Sequence, residues 1–268
     1  MIRRFLSGYD RRSLLALVLL AASGLVVGAR PQDLLGTAGR LDWLLGFMWL
    51  WIAIVLPWRL KLARDLAVLA FGAAGGALIE SWGTWTGVWW YATAERPPWW
   101  VVPAWATTAL AGERTRHVLL SLARRAGIEP ASRPRLAAAL YFVVLGAFAI
   151  AMAGFSRGAA SWPAVAVACT TMGVVIVTTR SPAMDLGAFS AGSLIGLFIE
   201  PWGTRAGVWT YHTLQTPPAV AVFAHGFATL AFLRAYELAA VATQHVTARA
   251  HRRAGTRQPR QQHERQQS

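Results

Sequence analysis

Two glutamates give the clearest chemical signal in the sequence, because each closes a long apolar run and opens the same unusual phrase. Residues 79–91 read IESWGTWTGVWWY and residues 199–211 read IEPWGTRAGVWTY, so Glu80 and Glu200 stand 120 positions apart. If the helices end here, each carboxyl group meets the negative end of a helix dipole, and partial burial disfavours its charge further. Both effects favour the protonated form, so the two glutamates are predicted to be catalytic proton donors or acceptors.

Aromatic residues follow each glutamate at matching positions and are predicted to contact a substrate. Because side chains alternate along an extended stretch, a tryptophan and a tyrosine two residues apart would point to one side. A histidine inside the last apolar run stands 120 positions after Trp105 and is a further candidate. The predicted substrate-binding residues are Trp82, Trp202, Trp89, Trp209, Tyr91, Tyr211 and His225.

Structural roles for the same residues are the alternative. Tryptophan and tyrosine collect at membrane–water interfaces, and seven of the fourteen tryptophans lie between residues 82 and 105. The glutamates would then cap loop N–H groups or pair with Arg96 or Arg205. Asp65 and Asp185 lie near arginines at the other ends of the same apolar runs, which is typical of structural ion pairs. Asp65 stands fifteen residues, or about 22 Å of helix, before Glu80.

The composition places these residues in a membrane protein. The chain of 268 residues is 55% hydrophobic and 14% charged, with a mean hydropathy of +0.40, whereas soluble domains carry about 25% charged residues. The net charge of +14 comes from short arginine clusters between apolar runs, which does not favour nucleic-acid binding. A single cysteine excludes a disulfide framework. The absence of HExxH, Walker A and DDxxD patterns gives no reason to expect a metal or a cofactor.

Eight apolar runs predict an all-α, multi-pass protein of the cell membrane. They cover about residues 13–29, 42–58, 65–82, 98–113, 135–154, 160–178, 185–201 and 217–238. With the N-terminus inside, 21 lysines and arginines fall on the inner side and five on the outer side, which predicts both termini inside. The predicted parts are a basic N-terminus 1–12, a first four-helix repeat 13–113, a basic linker 114–134, a second repeat 135–238 and a basic, disordered cytoplasmic tail 239–268. Residues 114–126 are a candidate interfacial helix.

An internal duplication explains why the phrase occurs twice. At an offset of 120 residues, twelve of the twenty positions in 79–98 and 199–218 are identical. The match extends to Asp65 and Asp185, to Gly76 and Gly196, and to Arg114 and Arg234. Each unit holds four predicted spans, an even number, so the two would be parallel repeats whose outer loops meet over a shared cavity.

The repeated pattern resembles two kinds of polytopic carotenoid-modifying proteins. It consists of a glutamate, two residues, Gly-Thr, two residues, Gly-Val-Trp, one residue and a tyrosine, followed by proline and a further span. It is similar to the membrane carotenoid hydratase family, in which a glutamate precedes a Gly/aromatic/Tyr loop and a proline-led helix. It also resembles the lycopene cyclase domain of the small heterodimeric type, which pairs two related membrane units, although the P-x-E-E motif of that domain is absent. The resemblance implies cofactor-independent, acid-catalysed cyclisation or hydration of an apolar isoprenoid, with one glutamate as acid and the other as base.

Two other functions remain open from the sequence. Internal repeats with acidic residues also occur in proton-coupled transporters or lipid carriers, and aromatic loops with a basic tail would suit a non-catalytic membrane scaffold. Membrane lipids are expected partners in every case.

Overall fold

The computed structural model describes residues 7–29, 43–128 and 132–266, with side chains described in 7–22, 43–128 and 132–244. Eight helices and two short strands occupy these ranges, and the fold is all-α, as predicted. In chain order they are α1 (Arg11–Ala29), α2 (Trp43–Val55), α3 (Leu62–Thr86), β1 (Trp89–Tyr91), α4 (Val101–Arg125), α5 (Pro134–Ser156), α6 (Trp162–Val177), α7 (Pro182–Arg205), β2 (Trp209–Tyr211) and α8 (Ala219–Gln266).

Four of the described helical segments are long and apolar enough to cross a membrane. They are Leu62–Thr86, Pro134–Ser156, Pro182–Arg205 and Ala219–Gln244, whereas α2 and α6 are apolar but shorter. At about 1.5 Å of rise per residue, helices of 13 and 16 residues are shorter than a hydrocarbon core of about 30 Å. The chain is therefore a helical protein with the character of a membrane protein.

Helices α3 and α7 continue beyond the glutamates, which corrects the prediction that they end there. The α3 helix runs to Thr86 and the α7 helix runs to Arg205, with Pro201 inside it. A proline removes one backbone hydrogen bond, but the following turn holds, and Thr204 Oγ1 donates to the Glu200 carbonyl at 2.6 Å. The reversal comes later, because Gly87 and Gly207 have φ of +76° and +68°, a left-handed conformation that glycine adopts without steric cost.

Helix α4 is also longer than its predicted span. It runs without interruption to Arg125, so the first part of the predicted linker 114–134 belongs to this helix. Residues 114–116 are buried, which corrects the prediction of an interfacial helix over 114–126. Arg114 and Arg116 pair with acidic side chains inside the protein, and this pairing offsets part of the cost of burying their charges.

Helix α8 extends to Gln266, whereas the sequence predicts a disordered tail over residues 239–268. Alanine, arginine and glutamine in this segment favour a helix, whereas Gly255 and Pro259 inside it are unfavourable in helix interiors.

Small residues allow the central helices to approach closely. A Cβ atom at Gly76 of α3 would lie 2.3 Å from the Trp105 Cβ of α4. At the matching position of α7, a Cβ atom at Gly196 would lie 2.4 Å from the Val222 carbonyl oxygen of α8. Glycines at such positions are typical of tightly packed membrane helices. The close packing brings Trp105 and His225 next to Glu80 and Glu200, which lie one helical turn after Gly76 and Gly196.

Candidate functional site

The two aromatic loops pair with each other and form one end of the bundle. Strands β1 and β2 are antiparallel, with Trp89 opposite Tyr211 and Tyr91 opposite Trp209. The alternation of a strand places Trp89 and Tyr91 on the buried side and leaves Trp90 exposed. The ribbon thus points four aromatic side chains, two from each loop, toward the bundle interior.

Glu80 is buried and accepts three hydrogen bonds from aromatic side chains. Its Oε2 atom accepts from Trp89 Nε1 at 2.9 Å and from the Tyr91 hydroxyl at 2.8 Å. Its Oε1 atom accepts from Trp105 Nε1 at 2.7 Å. Two of the donors come from the loop and one comes from α4, so the carboxyl group ties the loop to both helices.

Glu200 has a corresponding set of partners with one chemical difference. Trp209 Nε1 donates to its Oε2 atom at 3.2 Å, and the Tyr211 hydroxyl lies 3.0 Å from both carboxyl oxygens. The third partner is His225, whose Nε2 atom lies 2.9 Å from Glu200 Oε1. An imidazole therefore takes the place that the Trp105 indole occupies at Glu80.

The two glutamate clusters are in direct contact. The rings of Trp105 and His225 stack with centroids 4.8 Å apart and an angle of 19° between their planes. Across the ribbon, Trp89 packs edge to face against Tyr211 with ring centroids 6.1 Å apart. Tyr91 packs in the same way against Trp209, with centroids 6.2 Å apart. The two carboxyl groups thus belong to one continuous aromatic assembly.

A cavity of about 470 Å³ lies inside this assembly, within the range of small-molecule sites. All nine residues predicted as catalytic or substrate-binding line it, including both glutamates and His225. Trp105 lines it as well, although it is not among the site residues predicted from the sequence. The available signal was its alignment with His225 at the 120-residue offset.

The outer tryptophans divide into two groups. Of the seven between residues 82 and 105, four line the cavity: Trp82, Trp89, Trp100 and Trp105. The other three, Trp85, Trp90 and Trp99, are exposed, as residues of an interfacial belt would be. The aromatic cluster thus contributes some side chains to the cavity wall and others to the exposed surface.

Two exposed apolar side chains also line the cavity and mark a lateral opening. Leu78 of α3 is 73% exposed and Val167 of α6 is 62% exposed, yet both border the same space as the glutamates. Trp82 Nε1 donates to the Ala164 carbonyl at 3.1 Å and joins the same two helices, α3 and α6. The cavity is thus open toward the apolar flank of the bundle.

The tyrosines of the ribbon act as hydrogen-bond donors over a wide pH range. Burial raises the pKa of the Tyr91 and Tyr211 hydroxyls well above their usual value of 10, and the adjacent glutamates raise it further. Both side chains therefore stay protonated near neutral pH and keep donating to the carboxyl groups.

The ion pairs that the sequence offers as an alternative role for the glutamates are not formed among the described residues. Among the described residues, no ion pair joins either glutamate to Arg96 or Arg205. Glu200 pairs with His225 instead, and this is an ion pair whenever the imidazole is protonated. In the same part of the chain, no three His, Cys, Asp or Glu side chains are grouped so as to hold a metal ion.

A separate ionic cluster occupies the opposite ends of α3 and α7. Arg114 Nη2 lies 2.6 Å from Asp65 Oδ2, and Arg234 forms the corresponding pair with Asp185. Glu113, which is not among the residues predicted from the sequence, pairs with Arg114, Arg64 and His117. About 22 Å of helix separates Asp65 from Glu80, so these pairs hold the helix ends and lie outside the cavity.

Comparisons with protein-family models, with curated proteins and with solved structures give no match to this chain. Function is therefore inferred from the chemistry of the cavity.

Proposed function

We propose that the protein is a multi-pass membrane enzyme that transfers protons to and from the carbon–carbon double bonds of an apolar isoprenoid, as a cyclase or a hydratase. One observation carries the proposal: two buried carboxyl groups face a single cavity whose remaining walls are almost entirely aromatic and aliphatic. Such a cavity offers general acid and base groups together with aromatic faces that attract a cation. It offers little to a polar substrate.

The cyclase reaction needs only what these side chains supply, and the hydratase reaction needs water in addition. A protonated glutamate gives its proton to one carbon of a double bond, the π electrons form the new C–H bond, and the neighbouring carbon becomes a cation. The faces of Trp89 and Trp209 stabilise this cation electrostatically. In a cyclase, a second double bond attacks the cation and the other glutamate removes a proton. In a hydratase, water adds to the cation, and the other glutamate takes a proton from the added water.

The lateral opening supports an apolar substrate that arrives from the bilayer. Leu78 and Val167 at this opening are exposed aliphatic side chains, and the helices beside them are long and apolar. A lipid-soluble chain can pass between α3 and α6 without leaving an apolar environment, whereas a water-soluble substrate would have to lose its hydration first.

We further propose that all eight helices lie in the cell membrane as two parallel four-helix repeats with both termini inside. Exposed apolar residues on α1, α5 and α6 support contact with lipid, since soluble proteins rarely expose so many together. The exposed residues are Leu14, Leu15, Val18 and Leu19 on α1, Val143 and Ile150 on α5, and Val167, Val174 and Val177 on α6. The matched partners of Glu80 and Glu200 support the duplication.

Carboxamide variants of the glutamates test the proposal. The chain and its Glu80→Gln, Glu200→Gln and Glu95→Gln variants are produced in a strain from which the gene is deleted, and its isoprenoid lipids are profiled. Glu95 is exposed in the loop after β1 and serves as the matched control. We expect the wild type and E95Q to convert an isoprenoid that accumulates in the deletion strain, and E80Q and E200Q to lose at least 100-fold in rate.

The two other functions give different results in the same set of variants. Unchanged lipid profiles between the deletion strain and the wild type would contradict the enzyme proposal. A transporter predicts proton-dependent flux in proteoliposomes that E80Q and E200Q abolish, and a scaffold predicts that neither variant has an effect.

A further inference from the structure

The two halves of the cavity differ at the third partner of each glutamate. Trp105 donates to Glu80 at 2.7 Å, and His225 lies 2.9 Å from Glu200 at the position that matches it. An indole N–H only donates a hydrogen bond, whereas an imidazole nitrogen donates or accepts according to its protonation. The difference therefore changes which proton positions each half can hold.

The partners of Glu80 favour a carboxylate. Both indoles, of Trp89 and Trp105, offer N–H groups and no acceptor. If Glu80 carried a proton, the Tyr91 hydroxyl would be the single acceptor among the three groups bonded to it. Hydrogen bonds from three donors stabilise the charged form of a carboxyl group.

The partners of Glu200 are compatible with a proton either on its carboxyl group or on the imidazole of His225. The bond between Glu200 Oε1 and His225 Nε2 persists whether the oxygen donates to the nitrogen or the nitrogen donates to the oxygen. The stacked Trp105 ring also suits a charged imidazolium, since aromatic faces attract cations. The hydrogen bond therefore persists whichever of the two side chains carries the shared proton.

The histidine carries a structural cost that a second tryptophan would avoid. His225 Nδ1 is buried and has no hydrogen-bond partner among the described residues. A buried polar atom without a partner is destabilising, whereas the indole nitrogen at position 105 is satisfied. A residue that is unfavourable for stability at this position points to a chemical role.

We propose that Glu200 and His225 together hold the proton that is transferred to the substrate, while Glu80 is the carboxylate that receives a proton at the end. The assignment rests on the proposed function. In the first step the Glu200–His225 pair loses one proton to an alkene carbon and is left as a carboxylate and a neutral imidazole. In the last step Glu80 takes one proton from the cyclised cation or from the added water and becomes neutral.

Spectroscopy locates this proton without any substrate. Full-length protein with ¹³C-carboxyl glutamate and ¹⁵N histidine is placed in lipid vesicles at neutral pH. Infrared difference spectra report a protonated carboxyl group, and ¹⁵N NMR reports an imidazolium. We expect the wild type to show one of these two signals from the cavity. Glu200→Gln abolishes it, whereas Glu80→Gln and Glu95→Gln leave it in place.

An exchange of the two third partners gives a matched test. The double variant Trp105→His, His225→Trp moves the imidazole from Glu200 to Glu80. In this background we expect the signal to move too, so that E80Q abolishes it and E200Q leaves it. This variant keeps one indole and one imidazole in the stack and adds no atoms to the cavity as a whole.

Three results would overturn the inference: absence of both signals in the wild type, a signal that E80Q removes and E200Q leaves, or a signal that stays with Glu200 after the exchange. Failure of the proposed function is separate. If no isoprenoid is converted but the signal follows the histidine, the proton-holding pair stands and the enzyme proposal falls. If conversion needs both glutamates but the proton lies on Glu80, the inference alone falls.

Discussion

A methyl group added at Gly83 would collide with the tryptophan that holds Glu80. An alanine Cβ atom at this position would lie 1.9 Å from Trp89 Cη2. Ordinary contact between carbon atoms begins at about 3.5 Å, so the indole has to move by about 1.6 Å. Such a shift would break the 2.9 Å bond between Trp89 Nε1 and Glu80 Oε2.

The expected cost follows from these two effects. Overpacking a filled interior costs about 1–3 kcal/mol, and leaving a buried hydrogen-bonding group without its partner costs about 1–3 kcal/mol more. Gly83→Ala is therefore expected to lower the free energy of unfolding by about 2–6 kcal/mol. Gly203→Ala should behave alike, because its Cβ atom would also lie 1.9 Å from the Cη2 atom of its tryptophan, Trp209.

Thermal and denaturant unfolding in detergent, followed by circular dichroism, measures this change. Gly146→Ala is the matched control, since a Cβ atom there has no neighbour within 4 Å. In a helix interior, alanine is more favourable than glycine by about 0.5–1 kcal/mol, so this control should be slightly stabilised. If Gly83→Ala were as stable as Gly146→Ala, the close contact between helix and indole would be refuted.

Three further changes test other parts of the structure. Asp185→Ala leaves Arg234 buried without its ion-pair partner and should lower the free energy of unfolding by about 3–5 kcal/mol; a loss under about 1 kcal/mol in denaturant titrations would contradict a buried pair. Val167→Trp should obstruct the lateral opening and lower isoprenoid conversion at least tenfold, whereas Val174→Trp, exposed on the same helix and outside the cavity, should not; equal rates would place the entrance elsewhere. Because burial raises the pKa of Tyr91 in the folded state, stability should be full below about pH 10 and fall as pH rises above it, and Tyr91→Phe should weaken this fall in unfolding experiments at several pH values; an unchanged fall would contradict the burial of this hydroxyl.

The sequence predicts the all-α class and the membrane character because both depend on composition and on the length of apolar runs. These are properties of single segments and need no knowledge of how the segments pack. The same holds for the alternation of Trp89 and Tyr91, since a strand of three residues already determines which side chains share a face.

The helix ends could not be predicted as reliably. Gly83 and Pro201 read as helix-ending residues, yet both lie inside helices. Gly83 is there because an indole packs against the backbone, a tertiary contact that no local rule contains. The residue that does end the helix, Gly87, is identified by its positive φ, which the sequence allows but does not require.

Partners from neighbouring helices are the other feature that the sequence does not reveal. Trp105 and His225 each stand 25 residues after the glutamate that they contact, and Arg64 stands 49 residues before Glu113. Which side chains meet depends on the rotation and the close approach of the helices, and glycines such as Gly76 and Gly196 determine that approach. The repeat offset places Trp105 and His225 at equivalent positions, but it does not say what they touch.

The central claim is that a proton from the cavity is added to a carbon atom of the substrate. Conversion carried out in D₂O with purified protein in lipid vesicles tests this claim most directly, with mass spectrometry of the isoprenoid product. We predict one deuterium on a carbon that does not exchange, in the wild type and in Glu95→Gln, and no labelled product from Glu80→Gln or Glu200→Gln. A product without carbon-bound deuterium, or full labelling in either of these two variants, would contradict the account.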